Sequence, residues 1–95
     1  RVEISNQDYL GQVLEYNKES KLIKILERNY FEVGDKVELF TPNGDRIQFI
    51  VSLLFDADMN KIDVARHPDN VYYIYLETDI KIEVYSMIRL VEKGV

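Results

Sequence analysis

Apolar residues at every second position between residues 46 and 55 constrain the fold of this chain more than any other feature of its sequence. This spacing places them on one face of an extended strand. The residues that share this face are Ile47, Phe49, Val51, Leu53 and Phe55. We therefore predict one long strand over residues 46–55, with this face turned toward a hydrophobic core.

Shorter runs of β-favouring residues, separated by turn residues, fill the rest of the chain. Polar turn clusters occupy residues 17–20, 42–45, 56–60 and 67–70, where Pro, Gly, Asn and Asp favour chain reversal. The remaining runs predict strands over residues 10–16, 21–27, 36–41, 61–65, 71–76, 80–84 and 86–90. No segment shows a sustained helical period. We predict an all-β fold, a small closed antiparallel β-barrel, because closure removes exposed strand edges.

Length and charge limit the functions that are open to this chain. Its 95 residues form one domain, residues 1–95, with residues 1–8 and 92–95 as flexible ends. The absence of cysteine excludes disulfides, thiolate metal sites and a cysteine nucleophile. The 17 acidic residues outnumber the 12 basic ones, which argues against a dominant phosphate-binding surface.

The location of the protein is less constrained by the sequence. No apolar run approaches the ~20 residues of a membrane-spanning helix, so we expect no membrane partner. A cytoplasmic location is favoured, and secretion of the parent protein is left open. Because the chain begins with Arg1 and shows no leader, we expect it to be a piece of a longer protein.

No catalytic residue, metal site or cofactor is predicted from the residues themselves. Asp56, Asp58 and Asn60 match the start of a calcium loop, but Lys61 and His67 occupy the places that need Gly and a bidentate Glu. A solvated hairpin turn explains this segment better. His67 is the only histidine, which excludes a site with two histidine ligands.

Two groups of residues are candidates for binding rather than catalysis. Tyr73 and Tyr75 share one face of a predicted strand, where they either pack in a barrel or form a docking surface. Lys21, Lys24 and Arg28 project from the predicted hairpin of residues 10–27, where they either touch phosphates or only solvate a face.

Several motifs, in order and spacing, resemble the C-terminal domain of the collagenase-like peptidase family, the U-thirty-two peptidases. The resemblance covers residues 9–90. The matching segments are residues 9–16, 27–31 and 33–35, the turn Pro42-Asn43-Gly44, the loop Ala65-Arg66-His67-Pro68 and the closing Met87-Ile88-Arg89. The chain departs from the family at Arg66, where proline is common, and at Tyr85-Ser86, where Gly-Asp is common.

The resemblance implies a small β-barrel similar to the second domain of elongation factor Tu. In that family, catalysis is assigned to a larger N-terminal domain, so this chain would be a non-catalytic accessory module with that domain as its partner. Some family members act on collagen or other proteins, and others take part in hydroxylating RNA bases.

Three hypotheses follow from the residues and the resemblance together. In the first, the module positions a protein substrate or packs on the catalytic domain through Arg66, His67, Tyr73 and Tyr75. In the second, it is an RNA-binding barrel of a base-hydroxylating relative, with phosphate contacts from Lys21, Lys24, Arg28 and Arg89. The acidic balance disfavours the second. A third, an autonomous hydrolase, rests only on His67 and scattered acids.

Overall fold

Extended segments with alternating burial make up the part of the chain that the structure describes. The computed structural model describes residues 8–94, which contain ten β-strands and no helix. In chain order these are β1 (Tyr9–Asn17), β2 (Leu22–Glu27), β3 (Phe31–Glu32), β4 (Lys36–Phe40), β5 (Arg46–Ile50), β6 (Leu54–Phe55), β7 (Lys61–Ile62), β8 (Val64–Ala65), β9 (Val71–Tyr75) and β10 (Met87–Glu92). Residues 8–94 contain no helix able to cross a membrane.

Eight of these strands form one antiparallel sheet in the order β5-β4-β10-β1-β2-β9-β6-β7, and β3 pairs separately with β8. β1 lies between β10 and β2, so the first and last strands of the chain are neighbours. The hairpin predicted from residues 10–27 is present as β1 and β2, which pair from Gly11 with Glu27 to Asn17 with Leu22. The predicted all-β antiparallel fold is confirmed.

The inward residues of the strands form one core. In β2, Ile23 and Ile25 are fully buried, and in β9 Ile74 is fully buried beside Tyr72. Phe31 of β3 is the largest fully buried side chain among residues 8–94. The other buried apolar residues are Leu10, Val13, Val37, Leu39, Val51, Leu54, Ala65, Leu76, Ile82 and Ile88.

The long strand predicted over residues 46–55 is wrong, because β5 ends at Ile50 and the next strand, β6, begins only at Leu54. The backbone N–H of Val51 donates to the carbonyl of Asp35 at 2.9 Å, outside any strand ladder. When pairing resumes in β6, Leu54 is fully buried and opposite Ile74, while Phe55 faces outward opposite Tyr73. The phase of burial therefore shifts by one residue between Val51 and Leu54.

The predicted closed barrel is not found, and the predicted likeness to the second domain of elongation factor Tu is not shown. Within residues 8–94 no ladder joins β5 to β7, which lie at opposite edges of the large sheet. The space between them holds the two-residue pair of β3 with β8 and isolated bonds such as Val33 N–H to the Asp63 carbonyl at 2.8 Å. Such short pieces do not continue a ladder around the sheet.

Two further strand predictions are also wrong. Residues 80–84 form no strand, since the chain passes through bends and a turn at Val84 and Tyr85. Tyr85 has φ = 73°, a left-handed conformation that glycine adopts easily and tyrosine rarely does. The run 61–65 is divided by a bend at Asp63 into β7 and β8, which pair with different strands.

A buried carboxylate, Asp35, connects the turn after β3 to the end of the chain. Its oxygens accept hydrogen bonds from the N–H of Glu32 at 2.9 Å, the Lys93 ammonium at 2.9 Å and the N–H of Gly94 at 2.8 Å. Lys93 and Gly94 supply two of these contacts, and the flexibility of residues 92–95 stays a prediction. The rest of the predicted ends, apart from Asp8, lies outside the described residues.

Truncating one inward residue of β10 should be far more damaging than truncating its outward neighbour. Ile88 is fully buried between Leu39 and Gly11, whereas Met87 is 48% exposed. We expect Ile88→Ala to lower the free energy of unfolding by about 2–5 kcal/mol, and Met87→Ala by about 0.5 kcal/mol or less. Chemical denaturation of both variants measures this, and similar losses would contradict the assigned strand faces.

Asp35 should stabilise the fold only when it is ionised. Burial raises the pKa of this carboxyl, but the hydrogen bonds from Gly94, Lys93 and Glu32 outweigh burial and hold the pKa below its usual range. Its contribution is therefore present above about pH 4 and is lost as the pH falls through the lowered pKa.

We expect Asp35→Asn to destabilise the protein by about 1–3 kcal/mol at pH 7, with a smaller difference near pH 3. The exposed Asp79→Asn is the matched control. Unfolding curves over this pH range test the expectation, and a constant difference between variant and parent would refute it.

Candidate functional site

A cleft of about 510 Å³ lies beside the loop that contains His67. Its floor and walls combine acidic, amide and aromatic groups. The lining residues are Asp56, Ala57, Asp58, His67, Asp69, Asn70, Val71 and Tyr72. Because three of them are aspartates, the cleft favours cationic or neutral polar groups over phosphate.

Backbone and side-chain bonds hold the loop that forms one wall of this cleft. The N–H of Asp69 donates to the Glu27 carbonyl at 2.7 Å, and the N–H of Glu27 donates to the Asn70 carbonyl at 3.0 Å. The Arg28 guanidinium contacts the Asp69 carboxylate at 2.7 Å. The loop is therefore anchored by hydrogen bonds to the end of β2. Arg66 and His67, which belong to this loop, are exposed to solvent.

Glu27 presents a buried carboxyl directly beneath this loop. Its side chain is fully buried, and neither oxygen has a hydrogen-bond partner among residues 8–94. Burial raises the pKa of Glu27 from 4.5 to about 7, because a charge without a partner is poorly solvated there. The nearby backbone N–H of His67 lowers the pKa of Glu27, but by less than burial raises it. The hydrogen bond of this N–H is donated to the Tyr72 hydroxyl at 3.2 Å.

The acidic turn of the cleft has a structural role. The Asp56 carboxylate accepts the backbone N–H groups of Asp58 and Asn60, each at 2.9 Å, which closes the turn between β6 and β7. The Asp56 carboxylate thus accepts hydrogen bonds from the backbone of its own turn, as expected for a solvated hairpin turn. Residues 8–94 contain no group of three or more His, Asp or Glu side chains able to hold a metal ion.

The predicted binding tyrosines lie away from the cleft. Tyr73 and Tyr75 are half-buried on the outer face of β9, while Val71 and Tyr72 line the cleft. At about 3.3 Å per residue, Tyr75 lies roughly 13 Å along the strand from Val71. The cleft lining therefore includes His67 but not Arg66, Tyr73 or Tyr75.

On this outer face, four side chains lie side by side across four strands, and we refer to them as the outer row. The strand register pairs Lys24 of β2 with Tyr73 of β9, Tyr73 with Phe55 of β6, and Phe55 with Lys61 of β7. Directly paired residues point to the same side of a sheet. The outer row thus consists of two aromatic rings with a lysine at each end.

Three of the four predicted phosphate contacts already have carboxylate partners. Arg28 pairs with Asp69, as described above. Lys21 lies 3.6 Å from Glu77 beside a second hollow of about 310 Å³. Arg89 contacts Glu38 at 3.1 Å, and both side chains are largely buried. Lys24 alone of the four makes no ion pair or hydrogen bond through its side chain within residues 8–94.

A second aromatic and cationic group lies on the outer face of the opposite half of the sheet. The guanidinium groups of Arg46 and Arg89 lie 4.9 and 5.6 Å from the centre of the Phe40 ring. Glu38 contacts Arg89 and also accepts from the Gln48 amide at 3.4 Å. Because the carboxylate neutralises one cation, this group is less available to an anionic ligand than the outer row.

Glu27, Phe55 and Lys61 were not predicted as site residues from the sequence. Glu27 follows the inward positions Ile23 and Ile25 at the same period of two, which places it on the buried face. That signal was available in the sequence. The outward direction of Phe55, in contrast, depends on the interruption of the strand between Ile50 and Leu54, which the apolar alternation from Ile47 to Phe55 does not indicate.

Taken together, these features define a small antiparallel β domain with a cleft beside the His67 loop and an outer row of aromatic and lysine side chains. Comparison with known proteins then gives its family. Residues 5–89 match the family described as the peptidase family U32 C-terminal domain, and the chain belongs to that family. The resemblance inferred from the sequence motifs is confirmed.

Solved structures of such domains have the same fold. The C-terminal domain of a Geobacillus thermoleovorans protein described as a U32 peptidase is 27% identical, with a TM-score of 0.82 over 96% of this chain and 100% of that chain. A selenomethionine variant of that domain is 30% identical, with a TM-score of 0.77 over 86% of this chain and 98% of that chain. Those chains consist of the C-terminal domain alone.

A curated relative is the tRNA hydroxylation protein P1 of Bacillus subtilis (strain 168). It is 33% identical over 82 residues, which make up 86% of this chain and 19% of the relative. The chain thus spans about a fifth of the length of that relative.

Loss of the proton from the buried Glu27 carboxyl should make the protein less stable as the pH rises. The pKa of Glu27 is raised in the folded state, so its contribution is fully present below about pH 4.5 and is lost as the pH approaches 7. We expect a loss on the order of 3 kcal/mol over this interval.

The isosteric Glu27→Gln should remove this loss, and the exposed Glu19→Gln should retain it. Thermal or denaturant unfolding between pH 4 and pH 8 provides the comparison. An unchanged pH profile in Glu27→Gln would show that the carboxyl is not responsible.

Proposed function

We propose that this chain is a non-catalytic accessory domain of a U32 protein that takes part in tRNA hydroxylation. The observation that carries the proposal is the 33% identity to the tRNA hydroxylation protein P1 across 86% of the chain. In this proposal the domain contributes RNA contacts, and the chemistry belongs to the remainder of the parent protein, whose N-terminal domain is its partner. A role in tRNA modification agrees with a cytoplasmic location.

The non-catalytic role is supported by the surroundings of the groups that could react. His67 is exposed, and its side chain has no hydrogen bond to a residue within 8–94. Ser86 is fully buried and donates its hydroxyl to the Glu83 carbonyl at 2.7 Å. The Asp69 carboxylate, which could act as a base beside His67, is engaged by Arg28 at 2.7 Å.

The charge of the domain limits the form that RNA binding can take. The chain has a formal net charge of −5, which repels a phosphate backbone at long range. Contacts with RNA must therefore be local and short, and most of the affinity for tRNA is expected from the rest of the parent. A free cation such as Lys24 fits this role better than Lys21, Arg28 or Arg89.

A second candidate function is favoured by the family description itself, which refers to a peptidase. In that case Arg66, His67, Tyr73 and Tyr75 would position a collagen-like or other protein substrate, or pack on the catalytic domain. The exposed apolar residues near the start of β10 would suit such packing. These are Ile80, Val84, Tyr85 and Met87, which are between 39% and 70% exposed.

The two candidates differ in the ligand that the domain should recognise. We expect backbone amide shifts of the labelled 95-residue domain on addition of tRNA, and none with a collagen-like peptide. Raising the salt from about 50 to 200 mM should weaken the RNA response, because phosphate contacts release counterions. A response to the peptide alone would reverse the ranking.

The role in the parent protein needs a separate measurement. We expect deletion of this domain to lower the hydroxylated fraction of tRNA in cells that depend on the parent, with the level of parent protein monitored as the control. Normal hydroxylation without the domain would refute the proposed function.

A further inference from the structure

We propose that the outer row, Lys24, Tyr73, Phe55 and Lys61, binds unpaired nucleotides of RNA by stacking bases on the two rings. This inference rests on the proposed function and assigns it a site. Base stacking on aromatic side chains, supported by cations that track the backbone, is a general mode of single-strand recognition.

The dimensions of the outer row fit a short single strand. Neighbouring strands in a sheet lie about 4.8 Å apart, so the Lys24 and Lys61 backbones are separated by roughly 14 Å. Tyr73 and Phe55 occupy the two strands between them. A strand of RNA crossing the sheet would thus meet a cation, two rings and a second cation in turn.

Both lysines are free to meet phosphates. Neither Lys24 nor Lys61 forms an ion pair or hydrogen bond through its side chain with any residue of the range 8–94, in contrast to the paired Lys21, Arg28 and Arg89. Among the outward residues of the four strands, Lys24 and Lys61 are therefore the available cations.

Within β1, β2 and β9, the neighbouring rows on the same face carry no charge. On one side Asn17, Leu22 and Tyr75 lie in register, and on the other side Gln12, Leu26 and Val71 do so. The acids near the outer row are Glu15, opposite Lys24 in β1, Asp56, next to Phe55, and Asp58 and Asp63, which lie on either side of Lys61 in the chain. The Asp56 carboxylate is turned to the backbone of its own turn, as described above.

The composition of the outer row favours RNA over a protein partner. Lysine is depleted in the centres of protein interfaces, where charges are costly to desolvate. Here a lysine stands at each end of the aromatic pair, which suits phosphates on either side of two bases. Duplex RNA hides its base faces within the helix, so unpaired nucleotides are the form that can stack.

The inference is tested on the 95-residue domain with a fluorescent single-stranded RNA of about eight nucleotides and mixed sequence. We expect Tyr73→Ala or Phe55→Ala to weaken binding about tenfold or more. Replacing both lysines with glutamine should reduce the slope of log K against log salt concentration by about 1.4.

Matched variants separate stacking from folding. Tyr73→Phe should retain binding because the ring remains, and Tyr73→Leu should lose it although an apolar side chain of similar size still covers the sheet. Tyr85→Ala and Lys18→Gln alter an exposed ring and an exposed lysine elsewhere and should have no effect. Circular dichroism of each variant verifies the fold.

Several outcomes would overturn the inference. These are no binding of the single strand, equal binding of a duplex of the same length, wild-type binding by Tyr73→Leu, or capture of a collagen-like peptide through the same side chains. In the parent protein, failure of the site is distinguishable from failure of the proposed function. Lost hydroxylation on domain deletion, combined with normal hydroxylation in the Tyr73→Ala and Phe55→Ala double variant, would reject the site alone.

Discussion

The pairing of the first strand with the last is the constraint on which the rest of this fold depends. β1 joins the half of the sheet made by β4, β5 and β10 to the half made by β2, β6, β7 and β9. At Gly11, the backbone of β1 lies close to the backbone of β2. A Cβ at this position would lie 2.6 Å from the Leu26 carbonyl oxygen. Register shifts on either side of this strand, between Tyr9 and Gly11 and between Val13 and Glu15, help to curve the sheet around one core.

Two buried carboxyl groups in this fold have opposite environments. Asp35 is surrounded by donors and is held ionised, which fastens the end of the chain to the turn after β3. At Glu27, beneath the loop that carries His67, burial outweighs the nearby His67 N–H and favours the neutral form. The first group favours folding above about pH 4, and the second favours it below neutrality.

Local patterns predicted a large part of the fold. The β1–β2 hairpin, the strand β4 and the alternation of β9 follow from residue periodicity and turn residues that lie next to them in sequence. The interruption of the strand between Ile50 and Leu54 could not be predicted in this way. Leu53, Leu54 and Phe55 are all apolar, so a shift of one residue in the buried face leaves no mark in the sequence pattern.

The candidate sites depended more strongly on contacts between distant segments. Arg28 and Arg89 have partners 41 and 51 residues away, which no local pattern reveals. The outer row gathers residues from four strands for the same reason. Family motifs identified the domain because they compare whole arrangements rather than single residues, but they did not indicate which cations remain unpaired.

The open sheet has two unequal borders. β5 offers five residues of backbone along its free side, whereas β7 offers only two. Among residues 8–94, the longer unpaired row of backbone groups is thus at β5, where the side chain of Ile50 is 60% exposed. Unpaired strand edges are the positions at which sheets can be extended by a further strand.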